Sequence, residues 1–452
     1  MTRRLRRPFA LLPLTLTLAG CGSGGTATGG SPGVASAQVT AFLRDRAVPF
    51  DTDDPTHPNA DLQAFEAMVG SARVVSLGEG THGTAEFFRM KHRLLRVLVE
   101  EMGFTAFGIE ASFPDSEPIN DYVLHGRGDA RRALAGQGFW TWRTEEVLAM
   151  VEWMRAYNAA HGPVLSFRGF DMQHPLTAMD LVIAYLQRVD RAAAAQAEQL
   201  YAPYRPYADW PTVGNYRTAP ADIRAPIRAG VAEVADMLNR ERTRYEAASS
   251  ARAFADASRH ARTVVQAEAL YSGTGDRDAF MAENALWLLD QAGPGARIVL
   301  WAHNGHVQRA PDNFASMGAA LDRVLGTQML VVGFAFGQGT CTAVSNATGL
   351  TTHTVPAPIS DSYEAGFAGT ARPRFLLDTR GLSRGAPGPD WFLGAHSHRN
   401  IGAVYDASRA TQYFQPAQLA RLYEVVVYFE DTNASRVYSV PTASSAEASA
   451  MR

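Results

Sequence analysis

The chain is poor in two reactive residue types. It has two cysteines, Cys21 and Cys341, and a single lysine, Lys91, although 42 of its residues are basic. Two cysteines cannot build a disulfide framework, and a basic complement made almost wholly of arginine is what a coding bias produces. Charge of one sign is also missing. The formal net charge is -3, which gives no broad field for holding a polyanion, so nucleic acid is not an expected partner. No apolar run is long enough for a permanent bilayer span. A serine-hydrolase elbow is absent too: the one literal G-x-S-x-G, Gly29-Gly30-Ser31-Pro32-Gly33, has no strand before it and no helix after it. There is no internal repeat. What is present is 452 residues, 46% of them hydrophobic, enough to bury a sizeable core.

Arg3, Arg4, Arg6 and Arg7 form a basic start, Phe9 to Leu18 a short apolar stretch, and Leu18-Ala19-Gly20-Cys21 places small residues before a cysteine. This is the layout of an export signal, and its end resembles the lipobox of bacterial lipoproteins. The resemblance implies removal of residues 1–20, lipidation of Cys21, and an exported cell-envelope lipoprotein held to a membrane by that lipid. Cys341 is then left without a partner in the chain. Residues 21–38 are mostly Gly, Ser, Thr and Ala and are expected to form a flexible tether. A folded domain is expected over 39–440 and a disordered tail over 441–452.

Within the domain, apolar runs alternate with helical patterns. Val74–Leu77, Thr105–Ile109, Val164–Phe167, Arg297–Ala302, Met329–Phe336, Phe375–Leu377 and Val425–Phe429 read as strands. Thr84 is placed to cap a helix in which Phe87, Met90, Leu94 and Leu98 share a face. The alternation predicts an α/β fold with a mainly parallel central sheet flanked by helices. The long helical stretch 176–293 predicts an inserted helical lobe. Its aromatic piece, Tyr201 to Tyr216 with Tyr204, Tyr207 and Trp210, is a candidate lining for an apolar cleft.

Open α/β sheets bind ligands beyond the carboxyl ends of their strands. Four predicted strands run straight into ionisable residues there. Glu79 and His82 follow the first, Glu110 the second, Asp171 the third, and His303 and His306 the fourth. Each alone has a plain structural use as a helix cap, a turn former or a solvated loop residue. Their recurrence at four strand ends predicts one shared pocket. Three chemistries suit it: general acid–base hydrolysis with a histidine held by a carboxylate, a metal site, or a nucleotide site, because Gly78-Glu79-Gly80-Thr81-His82-Gly83 matches G-x-G-x-x-G. A carboxylate between the first two glycines would repel a pyrophosphate, which weighs against the last.

Leu77-Gly78-Glu79-Gly80-Thr81-His82-Gly83-Thr84-Ala85-Glu86-Phe87-Phe88 resembles the signature of the erythromycin esterase family. So do Phe107-Gly108-Ile109-Glu110-Ala111, Trp140 to Glu146, Arg168 to Gln173, Trp301 to His306, and Arg277 to Asn284. The resemblance runs from about residue 60 to about residue 430. It implies an active cleft between an α/β lobe and a helical lobe. The reaction it implies is hydrolysis of a small-molecule ester or lactone, macrolides included, with no required cofactor. By the same resemblance His82 is the expected general base, Glu79 and Glu110 support it, and His303 and His306 line the site. Lys91, Asp171, Asn304 and Glu86 are expected on the substrate side. The wider superfamily implies alternatives: a metal-dependent hydrolase or protease, or a metal- or haem-binding surface lipoprotein with the metal at the Glu/His cluster.

Overall fold

The computed structural model describes residues 35–208, 213–310 and 315–439. Cys21, most of the expected tether, Trp210 and the expected tail lie outside the described residues. The helix Ala37–Arg46 begins inside the predicted tether, started by Ser36, whose Oγ accepts the Val39 N–H at 3.3 Å. No helix among the described residues is long and apolar enough to cross a membrane.

The strands are β1 (Ala47–Pro49), β2 (Val74–Leu77), β3 (Ala106–Ser112), β4 (Ser166–Asp171), β5 (Ile298–Trp301), β6 (Met329–Ser345), β7 (Gly349–Val355), β8 (Arg374–Asp378), β9 (His396–Arg399), β10 (Phe414–Ala417) and β11 (Val425–Thr432). Six run parallel in the order β11-β6-β2-β5-β3-β4. Antiparallel β8 extends the β11 edge, β1 closes it, and β7 folds back on the far half of β6. β9 and β10 form a separate hairpin. Every residue of β2 and β5 is buried, as expected of parallel strands covered on both faces. Helices Ala85–Glu100 and Glu145–His161 cover one face with Phe87, Leu94, Met150 and Val151. Helices Arg277–Gln291 and Met317–Leu325 cover the other with Met281, Ala285 and Leu321.

Two strands differ from the sequence reading in a way that matters for the site. β4 starts at Ser166 rather than Val164, because the Asn158 side chain takes the N–H groups of Val164 and Leu165 at 3.1 and 2.8 Å. It then runs on to Asp171, and β3 runs on to Ser112, so Glu110 and Asp171 project from strands rather than from the loops after them.

The helices Pro175–Val189, Arg191–Tyr201, Ala221–Arg240 and Ala251–Ser272 build a core of their own. Alanines at 178, 194, 197, 257 and 261 let these helices approach closely, and tyrosines, methionines and branched aliphatic side chains fill much of the remainder. The next helix, Arg277–Gln291, belongs to the sheet instead. Tyr204 is fully buried in the lobe core and Tyr207 packs against it, so these two side chains are packing and not the wall of a cleft.

The last described segment ties the domain together. Residues 433–438 lie across the N-termini of Ala85–Glu100 and Glu145–His161, with bridges Thr84–Ala434 and Thr144–Val437. Glu86 and Glu146 each accept a backbone N–H from it, at 2.7 Å from Asn433 and 3.1 Å from Arg436. Glu86 also holds Arg89 and the Asn433 side chain. It is therefore committed to this clasp and is not a substrate group, contrary to the sequence expectation.

Candidate active site

The loop Gly78–Gly83 leaves β2 and enters the helix Ala85–Glu100. Its glycines are needed for close contact. A Cβ on Gly78 would come within 2.3 Å of Asn304 Oδ1, and one on Gly83 within 2.0 Å of the Thr342 carbonyl. The space a pyrophosphate would need is thus filled by the protein's own groups, which removes the nucleotide reading of the G-x-G-x-x-G match. Thr84 occupies the N-cap position but makes no capping bond; its hydroxyl meets that of Thr81 at 2.6 Å.

Glu79 turns inward from this loop and is fully buried. One oxygen meets His82 Nδ1 at 2.6 Å. The other accepts from Lys91 Nζ at 2.6 Å and from the Trp301 indole at 2.8 Å. A carboxylate accepts only, so Nδ1 of His82 carries the proton and Nε2 has the lone pair. No hydrogen bond from a described residue reaches that Nε2. Lys91 is fully buried, with Nζ 4.1 Å from the Trp301 ring centre. Burial pushes its ammonium down to about 8, against the pull of Glu79 and Glu110. Lys91 was expected to face substrate; instead it sits beneath Glu79 and acts through it.

Glu110, from β3, anchors the other half. Its Oε2 accepts the His303 N–H at 2.9 Å, and its Oε1 accepts from Arg277 Nη2 at 2.7 Å. Burial alone would raise this carboxyl, but His306, Arg277 and His82 overcome that and hold it well below the usual carboxylate range. Arg277 stands at the first turn of Arg277–Gln291 and also binds Asp171, at 2.6 Å through Nη2. Asp171 is fully buried, with Met172 N–H on its other oxygen at 2.7 Å. It positions Arg277 and is sealed from solvent, contrary to the expectation that it faces substrate.

His306 has both ring nitrogens engaged, Nδ1 with Asp278 at 2.8 Å and Nε2 with Arg277 Nη1 at 3.0 Å. Arg277 can only donate, so this geometry is that of a neutral ring protonated on Nδ1. Burial works against a second proton, yet Glu110 and Asp278 raise the affinity for one above the ordinary histidine value. Glu110 Oε1 lies 3.4 Å from Nε2, where that proton would point. His303 is neutral for another reason: Nδ1 accepts the Gly305 N–H and Nε2 donates to the Ile401 carbonyl, both at 3.2 Å. Its ring centre is 4.9 Å from that of His82. Asn304 is fully buried, its amide shared between the Phe334 backbone and Asn400. It ties the His303 loop to β6 and has no group left for a substrate, which corrects the expectation.

The fold thus gathers Glu79, His82, Glu110, Asp171, His303 and His306 around one point. Among the side chains that reach solvent there are His82 (13% exposed), His306 (19%) and Arg277 (24%). Arg277 and Asp278 were missed as site residues. The signal available was a cation at a helix N-terminus, where the helix dipole disfavours it. Cavities of about 300 and 370 Å³ lie elsewhere, one beside His92 and Trp153 and one beside Arg168 and Arg252.

A metal at the Glu/His cluster was one sequence expectation. Its carboxylates already face Lys91 and Arg277, cations that a metal would have to displace. Among the described residues, the one group of three whose ligand atoms lie within 4.8 Å of each other is Asp51, His57 and Asp61. There Asp61 gives both oxygens to Arg93. The other cysteine, Cys341, is a buried free thiol that burial pushes up to about 12.

Comparison with known proteins agrees with this fold. An erythromycin esterase type II of Escherichia coli is 24% identical over 325 residues, covering 65% of this chain and 75% of that protein. A succinoglycan biosynthesis protein solved at 1.7 Å superposes with a TM-score of 0.78 at 24% identity, covering 89% of this chain and 99% of its own. The erythromycin esterase mutant EreC in its open conformation superposes with a TM-score of 0.67 at 17% identity, over 86% and 98% of the two chains. The family model described as erythromycin esterase matches residues 99–432. The chain belongs to the erythromycin esterase family, and that membership supports a hydrolase.

Proposed function

We propose that this protein hydrolyses a small-molecule ester or lactone, with His82 as general base. The observation that carries the reading is the unengaged Nε2 of His82 on a ring whose Nδ1–H is held by Glu79 at 2.6 Å. In the proposed reaction Nε2 takes a proton from water as the oxygen adds to the ester carbonyl carbon. Glu79, kept in place by Lys91 and Trp301, steadies the imidazolium that forms. The carbonyl oxygen becomes an oxyanion facing Arg277, which stabilises it by charge and by N–H donation, while His306, with both ring nitrogens engaged, holds that guanidinium in place. Collapse expels the alkoxide, which takes the proton back from His82. Acid and alcohol leave, or one hydroxy acid leaves if the substrate is a lactone.

A panel of acyl esters and lactones, macrolides among them, offered in excess chelator tests this directly. Turnover that survives chelation is the expected result. Stoichiometric metal or haem in the purified protein, with no hydrolysis of any panel member, would favour the binding-protein alternative. We also propose export and membrane anchoring through Cys21, on the strength of the lipobox-like sequence alone. A Cys21→Ser chain should then leave the membrane fraction, and one that still pellets with membranes contradicts the anchor.

A further inference from the structure

The loops that carry His82 and His303 meet on a third piece of chain. Just after β9, the Ile401 N–H donates to the Gly80 carbonyl at 2.7 Å, and the Ile401 carbonyl accepts from His303 Nε2 at 3.2 Å. Beside it, Asn400 Oδ1 accepts from Asn304 at 2.9 Å. One dipeptide therefore sets the spacing of both loops.

That dipeptide is fastened by charged groups buried on its far side. The Arg399 guanidinium, 1% exposed, donates to the carbonyls of Pro356 at 2.8 Å and Phe336 at 2.7 Å, and also to that of Gly337. It lies 4.1 Å from the Phe336 ring centre. Glu364 Oε1 accepts the Arg399 N–H at 2.9 Å and meets His398 Nδ1 at 2.7 Å. Arg399 Nε, Glu364 Oε2 and His398 Nε2 make no hydrogen bond to a described residue. Buried polar atoms left this way are costly, and an apolar anchor of similar volume would hold a hairpin as well or better. Charge here gains geometry instead, because three backbone carbonyls and one backbone N–H are gripped at defined angles.

We propose that Glu364, His398 and Arg399 are positioning residues, holding the Ile401 carbonyl on His303 so that His303 keeps its Nε2–H tautomer and its place beside His82. The role rests on the reading of His82 as the base: its ring centre lies 4.9 Å from that of His303, and with Nε2–H spent on Ile401 and Nδ1 on the Gly305 N–H, His303 does not compete for the proton His82 takes. The titratable groups facing His303 are His82 from the β2 loop, His306 from its own turn and Glu110 from β3, with Arg277 behind Glu110. Burial, His82 and His306 disfavour a proton on His303, and Glu110 and the hydrogen bond to the Ile401 carbonyl favour one.

The test uses the whole chain carrying 15N-labelled histidine, with the His303 signal assigned from a His303→Gln chain. In the parent, His303 should show the Nε2–H tautomer and no titration between about pH 5 and 8. In Arg399→Gln the Nε2–H form should give way to a mixture with the Nδ1–H tautomer. There kcat should fall roughly 10- to 100-fold, with KM changed far less, as for a displaced catalytic group. Arg399→Lys should restore part of both. An unchanged His303 signal in folded Arg399→Gln overturns the proposal. If Arg399→Gln does not fold, Asn400→Ala loosens the same dipeptide and is read the same way. The tautomer measurement needs no turnover, so absence of esterase activity would sink the function proposed above while leaving this result readable.

Discussion

Two histidines of this site lean on carboxylates, yet they are built for different tasks. His82 sits on Glu79, which sits on Lys91, and keeps one ring nitrogen unspent toward solvent. His306 sits on Asp278 and is met by Arg277 on its second nitrogen, so it has nothing left to accept with. A shared residue type at a strand end therefore does not imply a shared role. What separates the two is the second partner, and that partner comes from elsewhere in the chain.

The strongest way to break this contrast is to delete each ring. His82→Ala should lower turnover roughly 10²- to 10⁴-fold, the usual loss on removing a general base. Its denaturant midpoint should barely change. His306→Ala should lose less turnover and more stability, because Asp278 would keep only its Met317 N–H bond at 2.8 Å. If both variants lose turnover equally and neither loses stability, the two histidines are equivalent and the contrast fails.

The next test removes a cation. Lys91→Met strands the Glu79 carboxylate in a fully buried position, and breaking such a pair costs about 3–5 kcal/mol. Urea unfolding measures this, and a loss under about 1 kcal/mol would mean that Glu79 does not depend on Lys91.

A milder substitution sharpens the pH behaviour. Lys91 loses its proton at about 8 in the fold rather than at the ordinary 10.5. As pH rises through about 8, Glu79 loses its counter-charge and activity should fall. Stability moves the other way for this group. Between about 8 and 10.5 the unfolded chain holds a proton that the native state has released, so the penalty of burying the ammonium fades as pH rises. Lys91→Arg should remove the alkaline fall in kcat while leaving the neutral-pH rate within roughly tenfold, since arginine does not titrate there. An alkaline fall unchanged in Lys91→Arg assigns it to another group.

The smallest expected effect lies in the helical lobe. The Tyr204 hydroxyl is buried with no hydrogen bond to a described residue. Tyr204→Phe should therefore be neutral or stabilising by about 1 kcal/mol, with KM unchanged for bulky and small esters alike. A rise in KM for bulky substrates would return this residue to a cleft wall.

Much of the sheet was legible because its inner strands must be apolar throughout. Val74–Leu77 and Val299–Trp301 read as strands for that reason, and their carboxyl ends pointed to the acids and histidines. The edge pieces β1, β7, β9 and β10 were not legible, since their residues alternate with solvent or carry charges. Site roles were less legible than site membership. Asn304 and Asp171 lie at the predicted place, but the partners that consume them, Asn400 and Arg277, are 96 and 106 residues away in sequence. Nothing local to either residue announces those partners. Glu86 lost its expected role in the same way, to a backbone N–H 347 residues downstream.

The solitary lysine has a practical corollary. Its amine is sealed beneath Glu79 and against the Trp301 ring, so acylating reagents find no lysine side chain on the folded chain. Slow labelling at Lys91 would then clock how often the catalytic floor opens. A ligand that settles on His82 should lengthen that interval, turning a mass shift into a binding assay that requires no knowledge of the substrate's chemistry.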